Sequence, residues 1–92
     1  MLIMATIRIP TPLRTYTNGS TTVLVKGHTV GEALQDLTRQ HPDLSEHLFD
    51  NGKLRNFVNV FLGEDDIRYL DGEATALEAG DKLRIIPSIA GG

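Results

Sequence analysis

Few residues of this 92-residue chain could carry chemistry. Its three histidines, His28, His41 and His47, fall at no spacing that would set two metal ligands on one helical turn, and no cysteine is available to join them. No metal site is therefore expected. Without cysteine there is also no disulfide, no thiol nucleophile and no thioester formed on the chain itself, which suits a reducing compartment. Glu64-Asp65-Asp66 lacks the longer ligand series of a calcium loop, and neighbouring carboxylates of this kind read as a turn. Ser20, Ser45 and Ser88 stand in no motif of an activated nucleophile. Gly27 and Gly31 flank a helix start without forming a phosphate-cradling loop. Nothing here makes a self-sufficient active site, and the chain is expected not to be an enzyme.

One reactive group remains, because the sequence finishes on Gly91-Gly92. A terminal carboxyl has a pKa of about 3.3–3.7 and is ionised at neutral pH. The Gly92 carboxylate could attack the α-phosphate of ATP without a general base, yielding an electrophilic acyl-adenylate. Glycine leaves the acyl carbon unhindered and lets the backbone pass through a narrow channel. The run Ser88, Ile89, Ala90, Gly91 and Gly92 reaches about 17 Å when extended, enough to enter another protein's active site. Glycine packs nothing, and a terminus is poorly ordered unless tied down. Residues 88–92 are accordingly expected to form a flexible tail presented to partner enzymes. The chemistry would belong to the partner, and this chain would be its substrate.

The elements that must carry this tail are legible as an alternating pattern. Residues 3–10 place Ile3, Ala5, Ile7 and Ile9 on one face, as a half-buried strand does, and Pro10 and Pro12 close it. Asn18-Gly19 marks a turn, and residues 21–26 read as a second strand, paired with the first through a short loop. Thr29 with Glu32 three residues on is a capping box. Val30, Ala33, Leu34 and Leu37 continue it as one apolar helical stripe, which Pro42 should end near His41. Leu44, Leu48 and Phe49 suggest a second short helical turn ending at Asn51-Gly52. Residues 57–62 are the strongest strand, residues 67–70 a short one, residues 75–79 one helical turn, and residues 82–87 the last strand. This is one α+β domain over residues 1–92, a mixed sheet of four to five strands with one main helix across one face. The run Phe57, Val58, Val60 and Phe61 exceeds what one helix can cover, so it is a candidate apolar docking face.

Length fits one domain, of which roughly 64% of the unfolded surface would be buried. Net charge is −3 with both signs dispersed; no basic stripe points to nucleic acid. No apolar run approaches the length of a membrane span. The opening Met1-Leu2-Ile3-Met4 is too short for a signal peptide, and Met4 is an alternative start. A cytoplasmic protein is expected.

The strand order with the ending Ile86-Pro87-Ser88-Ile89-Ala90-Gly91-Gly92 resembles the ubiquitin-like sulfur carriers of the MoaD/ThiS family. Ile9-Pro10-Thr11-Pro12-Leu13-Arg14, Phe57-Val58-Asn59-Val60-Phe61, Asp66-Ile67-Arg68 and Leu77-Glu78-Ala79-Gly80-Asp81 fit the same family. The resemblance covers essentially the whole chain, and its most specific parts are the tail and the Gly80-Asp81 turn. It implies a β-grasp fold and a carrier that binds no cofactor. It also implies a MoeB/ThiF-type activating enzyme that uses Mg-ATP to adenylate Gly92, and a sulfur donor or sulfurtransferase that makes the thiocarboxylate. The acceptor implied is a pyridoxal-phosphate cysteine synthase or a molybdopterin synthase large subunit. The extra length between Asp43 and Asn56 is similar to the cysteine-biosynthesis carriers, whose thiocarboxylate attacks an aminoacrylate, and this favours cysteine over molybdopterin biosynthesis. Two other classes stay open: a ubiquitin-like modifier joined to lysines through Gly92, and a β-grasp binding module whose diglycine is incidental.

Overall fold

The computed structural model describes residues 3–87. In chain order it contains β1 (Met4–Arg8), β2 (Thr22–Lys26), α1 (Val30–Gln40), α2 (Ser45–Leu48), β3 (Phe49–Asp50), β4 (Lys53–Leu54), β5 (Val58–Leu62), β6 (Asp65–Asp66) and β7 (Lys82–Pro87). Five strands form one mixed sheet in the order β2-β1-β7-β5-β6, and β3 and β4 form a separate hairpin. β1 pairs antiparallel with β2, with Thr6 opposite Leu24. It pairs parallel with β7, with Ile7 opposite Leu83. β7 pairs antiparallel with β5, with Val60 opposite Ile85. The first and last strands thus lie side by side at the centre, and α1 crosses one face. This is the β-grasp arrangement.

Alternation decides what each strand buries. Ala5 and Ile7 of β1, Val23 and Val25 of β2, Val58 and Val60 of β5, and Leu83 and Ile85 of β7 all point to the helix side and are buried. There they meet Val30, Ala33, Leu34 and Leu37, the stripe read from helical spacing, all fully buried. Leu44 and Leu48 close the core at the far end of α1.

The start of α1 is fixed by local bonds. Thr29 Oγ1 accepts the Glu32 N–H at 3.2 Å, and Glu32 Oε1 accepts the His28 N–H at 2.9 Å. The helix-start amide of Val30 donates to the Thr75 carbonyl at 2.9 Å, which satisfies a donor that has no partner within the helix. Gly27 permits the approach, since a Cβ there would come within 2.8 Å of Ala33 N and Glu32 Cβ.

Four local expectations are corrected. Residues 75–79 form no helical turn: after a 3-10 turn at Gly72–Ala74, Ala76 bridges to Thr29 and Leu77 N–H donates to the His28 carbonyl at 2.9 Å. This backbone bonds to the start of α1 and not to itself. Residues 67–70 form no strand, because Asp66 Oδ1 accepts the Arg68 N–H at 2.9 Å and turns the chain into a 3-10 turn, Ile67–Tyr69, with Ile67 buried. Asn51 and Gly52 do not end a helix but turn a hairpin, with φ of 53° and 78°. Two consecutive positive φ values are what a two-residue type I′ hairpin turn requires. The link from β1 to β2 is no short loop but holds a 3-10 helix, Thr11–Thr17, closed by Asn18 at φ 56°.

Two substitutions test this account in urea unfolding. Leu37→Ala leaves a cavity beneath the sheet and should lower stability by about 3 kcal/mol. Thr29→Ala removes one cap acceptor and should cost about 1 kcal/mol with an unchanged m-value. An equal, negligible effect of both would mean that α1 does not anchor the core.

Candidate functional site

The last described residue, Pro87, pairs with Val58 at the end of β7, the central strand of the sheet. Ser88, Ile89, Ala90, Gly91 and Gly92, the expected tail, lie outside the described residues. The structure shows the strand that precedes them and the surface around its end.

That surface is the outer face of the sheet, opposite α1. Asn59 faces it opposite Ile86, and Phe61 opposite Arg84. Arg8 stands beside Arg84 on the next strand. Ile86 and Phe57 are each 40% exposed. Of the four residues expected on an apolar docking face, only Phe57 and Phe61 are there. Val58 and Val60 are each 1% exposed and belong to the core under α1, because residues 57, 59 and 61 point one way and 58 and 60 the other. Sequence reading missed Ile86 and Leu24, both exposed on this face. The alternation of Leu83 and Ile85 inward would have found Ile86.

Three arginines set the aromatic positions. Arg84 holds its guanidinium 5.3 Å from the centroid of the Phe61 ring and donates from Nη2 to the Gly63 carbonyl at 3.3 Å. Arg55 lies 5.9 Å from the Phe57 centroid. Its Nε donates to the Glu46 carbonyl at 2.9 Å and its amide to the Leu48 carbonyl at 2.8 Å, so the segment entering β5 is tied to α2. Arg68 donates from Nη2 to the carbonyls of Asn56 and Val58, one on each side of Phe57. Cation–π contacts at exposed sites are worth about 0.5–1 kcal/mol each. Their use here is to fix where the two rings sit relative to the end of β7.

No catalytic constellation accompanies this face. His28 and His41 flank the two ends of α1, and His47 stacks on Tyr16 with ring centroids 4.2 Å apart. Among the described residues no group of three His, Cys, Asp or Glu could hold a metal ion, and no helix is long and apolar enough to cross a membrane. What the arrangement can do is present a chain end from a rigid strand, beside a surface that another protein can read.

Known proteins share this arrangement. The ThiS family profile matches residues 7–92. The sulfur carrier protein CysO of Mycobacterium tuberculosis is 41% identical over 90 residues, covering 95% of this chain and 97% of that protein. A chain of the Amycolatopsis orientalis BexX/CysO complex superposes with a TM-score of 0.88 at 39% identity, over 96% of this chain and 99% of that one. The small archaeal modifier protein SAMP1 of Haloferax volcanii superposes with a TM-score of 0.84 at 30% identity, over 97% and 99%. The chain belongs to the ThiS family, and is a small sulfur carrier that other enzymes act upon rather than a catalyst.

Proposed function

We propose that Gly92 is the working end of this carrier. Its carboxylate oxygen attacks the α-phosphorus of Mg-ATP on a MoeB/ThiF-type activating enzyme, pyrophosphate leaves, and an acyl-adenylate forms. A sulfur donor or sulfurtransferase then supplies a sulfur nucleophile that attacks the acyl carbon. AMP departs, and the carboxylate becomes a thiocarboxylate. The thiocarboxylate sulfur is the nucleophile at the acceptor enzyme. Cysteine biosynthesis, on a pyridoxal-phosphate cysteine synthase, is the favoured destination, with molybdopterin synthase next. The carrier itself binds no cofactor, and the setting is the cytoplasm.

The observation that carries this reading is the diglycine that follows β7 in a chain 41% identical to a protein named sulfur carrier CysO. The extra length between Asp43 and Asn56, on which the cysteine assignment leans, holds α2 and the hairpin of β3 and β4. A second reading has support of its own: a relative named small archaeal modifier protein 3, from Haloferax volcanii, is 38% identical over 64 residues. In that reading a lysine amine attacks the same acyl-adenylate and forms an amide.

Intact-mass measurement separates the two. After incubation with ATP, activating enzyme and sulfide, the chain should gain the mass difference of sulfur replacing one oxygen, and a Gly92 deletion should not. No mass change with a competent activating enzyme would sink the carrier chemistry. Lysine-linked adducts of this chain in cell extract would then favour the modifier.

A further inference from the structure

The sheet order β2-β1-β7-β5-β6 leaves β2 and β6 at its two edges. β6 is two residues long and both are Asp, so it offers little to an added strand. β2 is different. It runs over five residues, Thr22–Lys26, with Val23, Leu24 and Val25 at its centre and Leu24 55% exposed. An edge strand of this length and composition is a template for pairing with another chain.

The register of β1 with β2 fixes which backbone groups face that edge. The Ile9 N–H donates to the Thr21 carbonyl at 2.8 Å, and the Gly27 N–H to the Ile3 carbonyl at 3.0 Å. Bonded and unbonded pairs alternate along an antiparallel ladder. Thr21, Val23, Val25 and Gly27 therefore turn their backbone groups to β1, and Thr22, Leu24 and Lys26 turn theirs to the edge. Two of these outward groups are held by side chains of α1. Asp36 Oδ2 accepts the Lys26 N–H at 3.0 Å. Gln40 Nε2 donates to the Leu24 carbonyl at 2.9 Å and to the same Asp36 Oδ2 at 3.0 Å. Four residues apart on one flank of the helix, Asp36 and Gln40 reach the same edge together. Asp36 also lies 3.5 Å from the Arg39 guanidinium, and its side chain is only 13% exposed, low for a carboxylate on a surface helix.

We propose that Asp36 and Gln40 seal the β2 edge against a second copy of this chain. A second copy is the fitting occupant because the edge is self-complementary. Two β2 strands laid antiparallel about Leu24 set Leu24 against its own copy and Thr22 against Lys26. That arrangement covers the exposed Leu24 and opposes no like charges. It also needs the Leu24 carbonyl and the Lys26 amide, the two groups that α1 holds. Removing the two side chains frees both for a partner strand. The seal is independent of what happens at Gly92, so it stands or falls apart from the carrier chemistry.

Sedimentation velocity from about 10 to about 1,000 µM protein tests the seal. The unaltered chain should remain a monomer. Asp36→Ala with Gln40→Ala should dimerise at concentrations roughly tenfold or more below any at which the unaltered chain does. The Leu24 and Lys26 amides should exchange hydrogen slowly in that dimer. Adding Leu24→Lys to the double variant sets two cations opposite each other at the centre of the pairing and should restore the monomer. Leu24 is exposed, so this change leaves the core alone. Circular dichroism checks that each variant is folded. If the double variant is not, Gln40→Ala carries the same test, since that side chain is exposed and its loss frees the Leu24 carbonyl. A folded variant that stays monomeric to about 1,000 µM overturns the proposal. So does association that Leu24→Lys leaves intact, because the edge is then not its site. An unaltered chain that dimerises, and that Leu24→Lys makes monomeric, overturns it too, because the edge is then open. Slow exchange at Leu24 and Lys26 in a monomeric double variant would give the edge to another segment of the same chain and overturn the second copy as its occupant.

Discussion

The parallel pairing of β1 with β7 is the constraint on which the rest of the fold depends. It joins Thr6 to Lys82 and Ile7 to Leu83 across most of the sequence. Parallel neighbours cannot be joined by a tight turn, so the chain between them must cross over. Here it does so through β2, α1 and the strands beyond, and α1 covers the face that the crossover creates. The junction is locked at its start, where the Thr6 amide donates to the Asp81 carbonyl and the Gly80 amide to the Met4 carbonyl, each at 3.0 Å. Closing so long a loop costs chain entropy that grows only slowly with length. It is offset by the apolar layer of Ile7, Leu83, Ile85 and Val60 against Leu34 and Leu37.

With β7 fixed between β1 and β5, the two faces of the sheet take on different work. The inner face is apolar because α1 excludes water from it. The outer face keeps Arg8, Lys82, Arg84 and Ile86 exposed, and its composition is free to follow another demand. The alternation that puts Leu83 and Ile85 inward puts Lys82, Arg84 and Ile86 outward. A single strand thus borders the core on one face and the exposed outer surface on the other, and it is the last element described before the end of the chain. Arg55, which follows the β3–β4 hairpin, adds a third connection, since it ties the entry of β5 to α2 while its guanidinium lies over Phe57.

Sequence and structure agree where the signal is local or repeats. The capping box at Thr29 and Glu32, the stripe of Val30, Ala33, Leu34 and Leu37, and the alternation of Ala5, Ile7 and Ile9 each follow from the spacing of a few neighbouring residues. The misreadings have more than one physical cause: the turn at Ile67–Tyr69 follows from a local Asp66 side-chain bond, whereas residues 75–79 take a conformation set by distant backbone. Thr75 and Leu77 extend because Val30 and His28 offer them hydrogen-bond partners, and nothing between residues 75 and 79 encodes that. β3 and β4 are two residues each, too short to show a period, so only Asn51-Gly52 marked the hairpin. On the outer face, counting apolar residues from Phe57 to Phe61 missed what alternation would have sorted. Val58 and Val60 are core, and the cations from β1 and β7 that join Phe61 are brought together only by strand order. Gly92 lies outside the described residues, and its expected reaction rests on the chemistry of an ionised carboxylate on glycine rather than on the fold.

A carrier of this kind inverts the usual relation between a fold and its chemistry. An enzyme must arrange several groups within fractions of an ångström around a reacting atom. This chain has to deliver one group, and the arranging is left to whichever protein receives it. Selection on the globule then acts on two properties: the rigidity of β7, which limits where the end can go, and the surface beside it, which limits who can take it. The first is met by placing β7 at the centre of the sheet, where both edges are paired. The outer-face positions beside it, Arg8 and Arg84 among them, are exposed and lie outside the core.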